Sequence, residues 1–143
     1  MRLPDVNVLV YAHWEQAPRH ADFARWLVEL IDSDEAFGMS DIVLSGFVRV
    51  ITNPRIFSPP MLVDAAIGRA TAMRNRDNCV TIQPGARHWD VFTRLCLGAE
   101  VKGNLVADAY LAAMAIESGC EWMTTDRDFA RFAGLRWRHP LDP

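Results

Sequence analysis

Lysine is nearly absent from this chain: Lys102 is the only one, and arginine supplies the remaining 14 of its 15 basic residues. Arginine's planar fork suits phosphate and carboxylate partners, although a GC-rich genome produces the same bias. Cysteine is sparse too. Cys79, Cys96 and Cys120 form no CxxC pair, which argues against a disulfide framework and a structural zinc site. They read as buried, reduced thiols. No apolar run approaches the roughly 20 residues that span a bilayer. Met1-Arg2-Leu3-Pro4-Asp5 puts a proline and a carboxylate where a secretory leader needs apolar residues, so a cytoplasmic location is expected. Positive charge is not in excess, because the net charge is −3, and that excludes a uniformly basic nucleic-acid-binding molecule. No GxSxG elbow, Walker loop or GxGxxG fingerprint occurs. His13, His20, His88 and His139 are scattered and read as packing or surface residues.

What remains is an ordinary globular composition. The 143 residues are 50% hydrophobic and 23% charged, enough for one domain with one core. Short β-like runs alternate with helical ones. Residues 1–6 read as a strand and 7–14 as a buried helix. Pro18 sits where it would open a second helix, with Ala24, Leu27, Val28 and Ile31 forming its apolar stripe. A weak strand over 36–39 leads to a helix capped by Ser40 or Asp41, which Asn53-Pro54 ends. Pro59-Pro60 precedes a helix carrying Leu62, Ala66, Ala70 and Met73. Residues 79–82 read as a strand. From Ala86, a helix presents Trp89, Phe92 and Cys96 on one face. Asn104 is placed to cap a long apolar helix ending near Ser118-Gly119. A strand over 120–124, a short helix over 126–132 and an edge strand over 135–138 complete the pattern. Such alternation implies a mostly parallel sheet covered by helices.

Parallel α/β sheets carry their chemistry beyond the carboxyl ends of the strands. Asp5 closes the first strand, while Asp126 and Asp128 follow the strand ending at Thr124. Asp108 lies inside a helix that is apolar almost all round, with no Lys, Arg or His three or four residues away. Burying that carboxylate unpaired costs several kcal/mol or forces it neutral, and a metal ion would supply the missing charge. A hydrogen bond to a loop or a solvent gap would satisfy it equally well. Asp5 also suits a turn or a helix cap, and Asp126 with Asp128 an N-cap pair on a short helix. Taken together, the carboxylates suit a hard cation, Mg²⁺ or Mn²⁺, held by oxygen ligands.

Four segments carry a family resemblance. Asp5-Val6-Asn7-Val8-Leu9 resembles the opening D-x-N-x-L motif of PIN domains. Val43 to Val50 with Thr52-Asn53-Pro54-Arg55-Ile56-Phe57 resembles a segment of one VapC-like toxin subgroup. Gly103-Asn104-Leu105-Val106-Ala107-Asp108-Ala109 resembles the helix bearing the third acid, and Thr124-Thr125-Asp126-Arg127-Asp128-Phe129 the closing T-x-D-x-D-F motif. The resemblance implies one PIN-like α/β nuclease domain over 1–143, with a four- or five-stranded mostly parallel sheet flanked by helices. It implies a Mg²⁺-dependent endoribonuclease (Mn²⁺ being possible) acting on tRNA or another folded RNA, the toxic component of a type II toxin–antitoxin system. A VapB-like antitoxin and a toxin homodimer are the implied partners. Asp5, Asp108 and Asp126 take the metal-site roles, Asp128 is a supporting acid, and Asn7 and Thr124 orient the others by hydrogen bonds.

One position departs from the pattern. Gly46 stands where the family usually has a glutamate. Asp41 is the nearest acid, but five helical steps place it about 140° away, so it would have to reach in from the strand end. Arg49, one turn beyond Gly46, is a candidate phosphate contact. The missing acid supports an alternative, a catalytically weakened PIN-like module that binds RNA or protein. A phosphoacceptor receiver would need a lysine near a later strand end, which Lys102 does not provide. Tyr11, Trp14 and Trp26 are expected to be exposed and to form part of an antitoxin-binding surface.

Overall fold

The computed structural model describes all residues, Met1–Pro143. Its strands are short: β1 (Arg2–Pro4), β2 (Phe37–Met39), β3 (Cys79–Thr81), β4 (Glu121–Met123) and β5 (Trp137–Arg138). Six helices intervene: α1 (Val6–His13), α2 (His20–Asp32), α3 (Asp41–Ile51), α4 (Val63–Arg74), α5 (His88–Gly98) and α6 (Asn104–Ser118), and a 3-10 helix covers Arg127–Arg131.

Every strand pair is parallel, as the alternating pattern requires, but the strands form two ladders. One has the order β1-β4-β5, and the other pairs β2 with β3. Beside β2, β1 lies close without joining it. Pro4 gives a physical reason. Asp5 N–H donates to Met123 O, and Met1 O accepts from Glu121 N–H, so odd-numbered positions of β1 face β4. The nitrogen of Pro4 faces the opposite side, where it has no hydrogen to donate.

The core runs through both ladders, with Leu3, Phe37, Met39, Trp122 and Met123 almost fully buried. α1 packs on α2 and α3, α3 on α4, and α5 on α6. Ala109, Ala112, Ala113 and Ala115 allow the buried half of α6 to approach its neighbours closely.

Several local expectations are corrected. α2 begins at His20 after Arg19 in a left-handed conformation (φ 58°), so Pro18 lies in the preceding turn. Its buried stripe is Phe23, Leu27 and Leu30, and Val28 is exposed. On α4, Ala66, Ala70 and Met73 are buried as expected, but Leu62 sits at the cap position and is exposed. α5 turns His88 and Leu95 inward and leaves Trp89 in solvent. His88 is held by a 2.9 Å contact from Nε2 to Tyr110 O. Gly103, with φ 61° and ψ −131°, occupies the cap position of α6, and Asn104 is its first helical residue. The first turns of α6 are largely exposed, so Asp108 is half-buried rather than enclosed.

Candidate active site

Parallel pairing sets Pro4 opposite Met123, which brings the next residues, Asp5 and Thr124, together at the carboxyl edge of the sheet. Asp5 caps α1: its Oδ1 accepts from Val6 N–H at 2.6 Å. Its Oδ2 accepts from the Thr124 hydroxyl at 2.6 Å and from Asn7 Nδ2 at 2.9 Å. The two lone pairs of Oδ2 are thereby occupied, and Oδ1 keeps one free. The Thr124 oxygen also accepts from Asp126 N–H at 3.1 Å and from Asn7 Nδ2 at 3.2 Å. Asn7 Oδ1 accepts from Thr125 N–H at 3.2 Å. Asp5, Asn7, Thr124 and the Asp126 backbone thus form one closed network, and Thr124 at its centre is fully buried. Asp126 Oδ1 caps the 3-10 helix through Asp128 N–H at 2.8 Å.

Asp5, Asn7, Asp108 and Asp126 line one cavity of about 400 Å³. The other eight lining residues are hydrophobic, among them Val6, Tyr11, Trp14, Val50, Phe57 and Phe129, and no basic side chain lines it. Burial, against the lowering effect of the Thr124 and Val6 hydrogen bonds, raises the Asp5 carboxyl to about 6; the charges of Asp108 and Asp126 add to the rise. Asp108 is also raised, first by burial, then by Asp126 and Asp128, with Arg131 opposing. Both shifts describe a pocket whose negative charge is poorly compensated.

The three carboxylates share a cavity but do not close into a set of three direct ligands around one point. All available donors are hard oxygens. That composition fits Mg²⁺ or Mn²⁺, which bind through one or two carboxylates and keep several waters. It lacks the histidine nitrogen and cysteine sulfur that structural and catalytic zinc sites characteristically use.

The remaining candidates lie elsewhere. Asp128 does not line the cavity; its side chain is mostly exposed and sits 3.4 Å from Arg131. Asp41 is bound to Arg74 at 2.7 Å on the outer surface, so it does not substitute for the acid missing at position 46. Gly46 packs against α1: a Cβ there would lie 2.8 Å from Val6 Cγ2. On this face of α3 it is Val50 that lines the cavity, and Arg49 points away. Tyr11, Trp14 and Trp26 are half-buried rather than exposed. Tyr11 and Trp14 are walls of the acidic cavity, whereas Trp26 borders a separate depression beside Leu141. These walls follow a signal present in the sequence, because Asn7, Tyr11 and Trp14 share one helical face at i, i+4 and i+7. Arg131, the cation acting on Asp108, has no such signal.

The family model described as PIN domain matches residues 2–135. Ribonuclease VapC43 of Mycobacterium tuberculosis is 46% identical over 145 residues, covering 96% of this chain and 94% of the relative. Ribonuclease VapC25 of the same organism is 37% identical over 140 residues, covering 98% and 99%. Among solved structures, VapBC2 from Rickettsia felis, bound to a DNA fragment from its promoter, matches with a TM-score of 0.71 at 18% identity, over 96% of this chain and 97% of that one. Mycobacterium tuberculosis VapC20, described as a sarcin-ricin loop cleaving toxin, matches with a TM-score of 0.67 at 17% identity, over 95% and 99%. At such identities the structural likeness establishes the fold.

Proposed function

The chain belongs to the PIN domain family, and we propose that it is the ribonuclease toxin of a VapBC-type toxin–antitoxin pair, cutting folded RNA with the help of Mg²⁺ or Mn²⁺. The observation that carries this reading is the uncompensated acidic cavity, in which Asp5 is locked by Thr124, Asn7 and Val6 while Asp108 and Asp126 face the same space.

Asp5, Asp108 and Asp126 would hold the ion. Asp5 would contribute through the one lone pair left on Oδ1, because the other three acceptor positions of its carboxylate are occupied by hydrogen bonds. A divalent ion held there would supply Lewis-acid polarisation of a phosphodiester. Asn7 and Thr124 keep the Asp5 carboxylate in one orientation. The apolar walls lower the local polarity around the buried Asp5, which strengthens charge interactions there. Asp128 acts at one remove, through its charge on Asp108 and its backbone bond to Asp126.

A VapB-like antitoxin and a second copy of this chain are the partners that accompany this reading, and the cytoplasm is where its substrate would be met. Gly46 supports a second reading, a PIN-like module that binds RNA or protein without cutting, since the usual fourth acid is absent. The test is cleavage of a folded RNA by the purified protein with chelator, and again after Mg²⁺ is restored. The toxin reading expects cutting only in the second case, and none in either from Asp108→Asn. Metal-independent cutting would overturn the assignment, and no cutting by wild type would favour the second reading.

A further inference from the structure

A second cavity, of about 330 Å³, opens beside the acidic one and shares three of its walls, Trp14, Ile56 and Phe57. The Trp14 and Phe57 rings meet edge-on at 5.1 Å. We propose that this second cavity is a nucleobase subsite, which holds an unpaired nucleotide next to the scissile phosphodiester and favours a base bearing an exocyclic amino group. The proposal rests on the ribonuclease reading and goes beyond it by assigning the residues that recognise the base.

Three observations favour a base as the occupant. The first is aromatic: the Trp14 and Phe57 rings line both cavities at their junction, and aromatic rings stack with any base. The second is His13. Its Nδ1 lies 2.7 Å from Leu9 O, and because a carbonyl can only accept, Nδ1 carries the proton. Nε2 is then an acceptor, and it has no partner within the protein. The imidazole is kept neutral mainly by burial, with Arg69 and His20 adding to the effect against the Leu9 bond. Glu15, on the same cavity wall, offers a further acceptor. Gln16 and Ser58 on the same lining can accept as well as donate, so His13 Nε2 and Glu15 tip the balance towards acceptors, which suits the amino N–H donors that adenine, cytosine and guanine carry and uracil lacks. The third is charge. Arg69 is close enough to act on His13, and Arg55 adjoins Ile56. Both are exposed, and neither has a carboxylate partner. Free guanidinium groups next to Ile56 and near His13 suit the phosphates adjoining a bound base, and an apolar peptide would leave them unused.

The test uses Asp108→Asn protein, which should bind RNA without cutting it, and single-stranded adenosine, cytidine and uridine hexamers. We expect the adenosine and cytidine hexamers to bind more tightly than uridine. Adding Trp14→Ala should weaken binding of all three roughly 5- to 100-fold, and adding His13→Leu should narrow the gap between cytidine and uridine. A measurement needing neither added change is the His13 Hε1 proton resonance, which should shift as cytidine hexamer is added. RNA binding that leaves this resonance unmoved, or that is unaltered by both added substitutions, would overturn the subsite and leave the cavity to a protein partner. If no hexamer binds and wild type cuts no RNA, the ribonuclease reading fails first and the subsite with it.

Discussion

The Thr124 hydroxyl donates to Asp5 Oδ2 over 2.6 Å across 119 positions of sequence, and the same oxygen accepts from Asp126 N–H at 3.1 Å. One buried side chain thus ties the carboxylate ending β1 to the loop that follows β4. Replacing it with valine keeps the shape, removes the donor to Asp5 and leaves the Asp126 N–H short of a partner. A buried polar group left unpaired costs about 1–3 kcal/mol, and disturbing the partners of metal-binding groups typically costs 10- to 100-fold. Thr124→Val should therefore lower both thermal stability and cleavage rate by these orders, while Thr124→Ser should keep most of each. Melting curves and initial rates measured side by side check this.

Acidity gives a second expectation. The Asp5 carboxyl is raised from 3.8 to about 6 in the folded protein, so the folded state holds its proton more tightly than the unfolded chain. Its contribution to stability is fully present below pH 3.8 and is lost as pH rises through about 6. At 1.36 kcal/mol per pKa unit the loss is roughly 3 kcal/mol. Asp22, Asp41 and Glu117 are shifted in the opposite direction, so total stability mixes both signs. The difference between wild type and Asp5→Asn isolates the one group. In metal-free buffer the variant should gain stability relative to wild type between pH 4 and pH 7, as denaturant titrations at several pH values can measure.

Gly46 yields a paired experiment. A side chain at this position meets Val6 Cγ2 at 2.8 Å, a branched methyl with little freedom to retreat. Gly46→Glu alone should be overpacked and destabilised by about 1–3 kcal/mol. Combining it with Val6→Ala should recover most of that loss. If the restored acid faces the cavity, Mn²⁺ affinity by calorimetry should be tighter in the double variant than in Val6→Ala. Equal affinities would mean that position 46 does not reach the metal site.

Glu117 supplies a control. Its carboxylate accepts from the N–H groups of Gly85 and Arg87 at 2.7 and 2.9 Å, latching the loop before α5 to the far end of α6. It lies nine residues from Asp108, roughly 13 Å along the helix. Glu117→Ala should destabilise the protein by about 1 kcal/mol and leave cleavage per folded molecule unchanged.

The site was more legible in the sequence than its surroundings. Asp5, Asn7, Thr124 and Asp126 sit at strand ends, and their spacing survives folding because a parallel ladder aligns those ends directly. Asp108 was readable as a lone acid on an apolar helix, although the exposed first turns of α6 make it half-buried. The inward face of α5 was not readable, because Trp89 and His88 are neighbours and only contact with Tyr110 decides which one is buried. Asp128 is expected as a supporting acid and Asp41 only as a distant one; both meet an arginine in the fold, Arg131 within the 3-10 helix and Arg74 across 33 positions. The split between the two ladders was not readable either; Pro4 removes only one of the donors with which β1 could have joined β2.

If Asp5 belongs to a metal-dependent cutting site, removing its charge should stop the cutting. Asp5→Asn keeps the size of the side chain and much of its hydrogen bonding while removing the charge. Wild type and this variant should be compared for cleavage of one folded RNA in Mg²⁺ and in chelator. Wild type should cut in Mg²⁺, the variant should melt no lower than wild type and fail to cut, and neither should be active in chelator. Wild-type rates from a folded Asp5→Asn protein would contradict it.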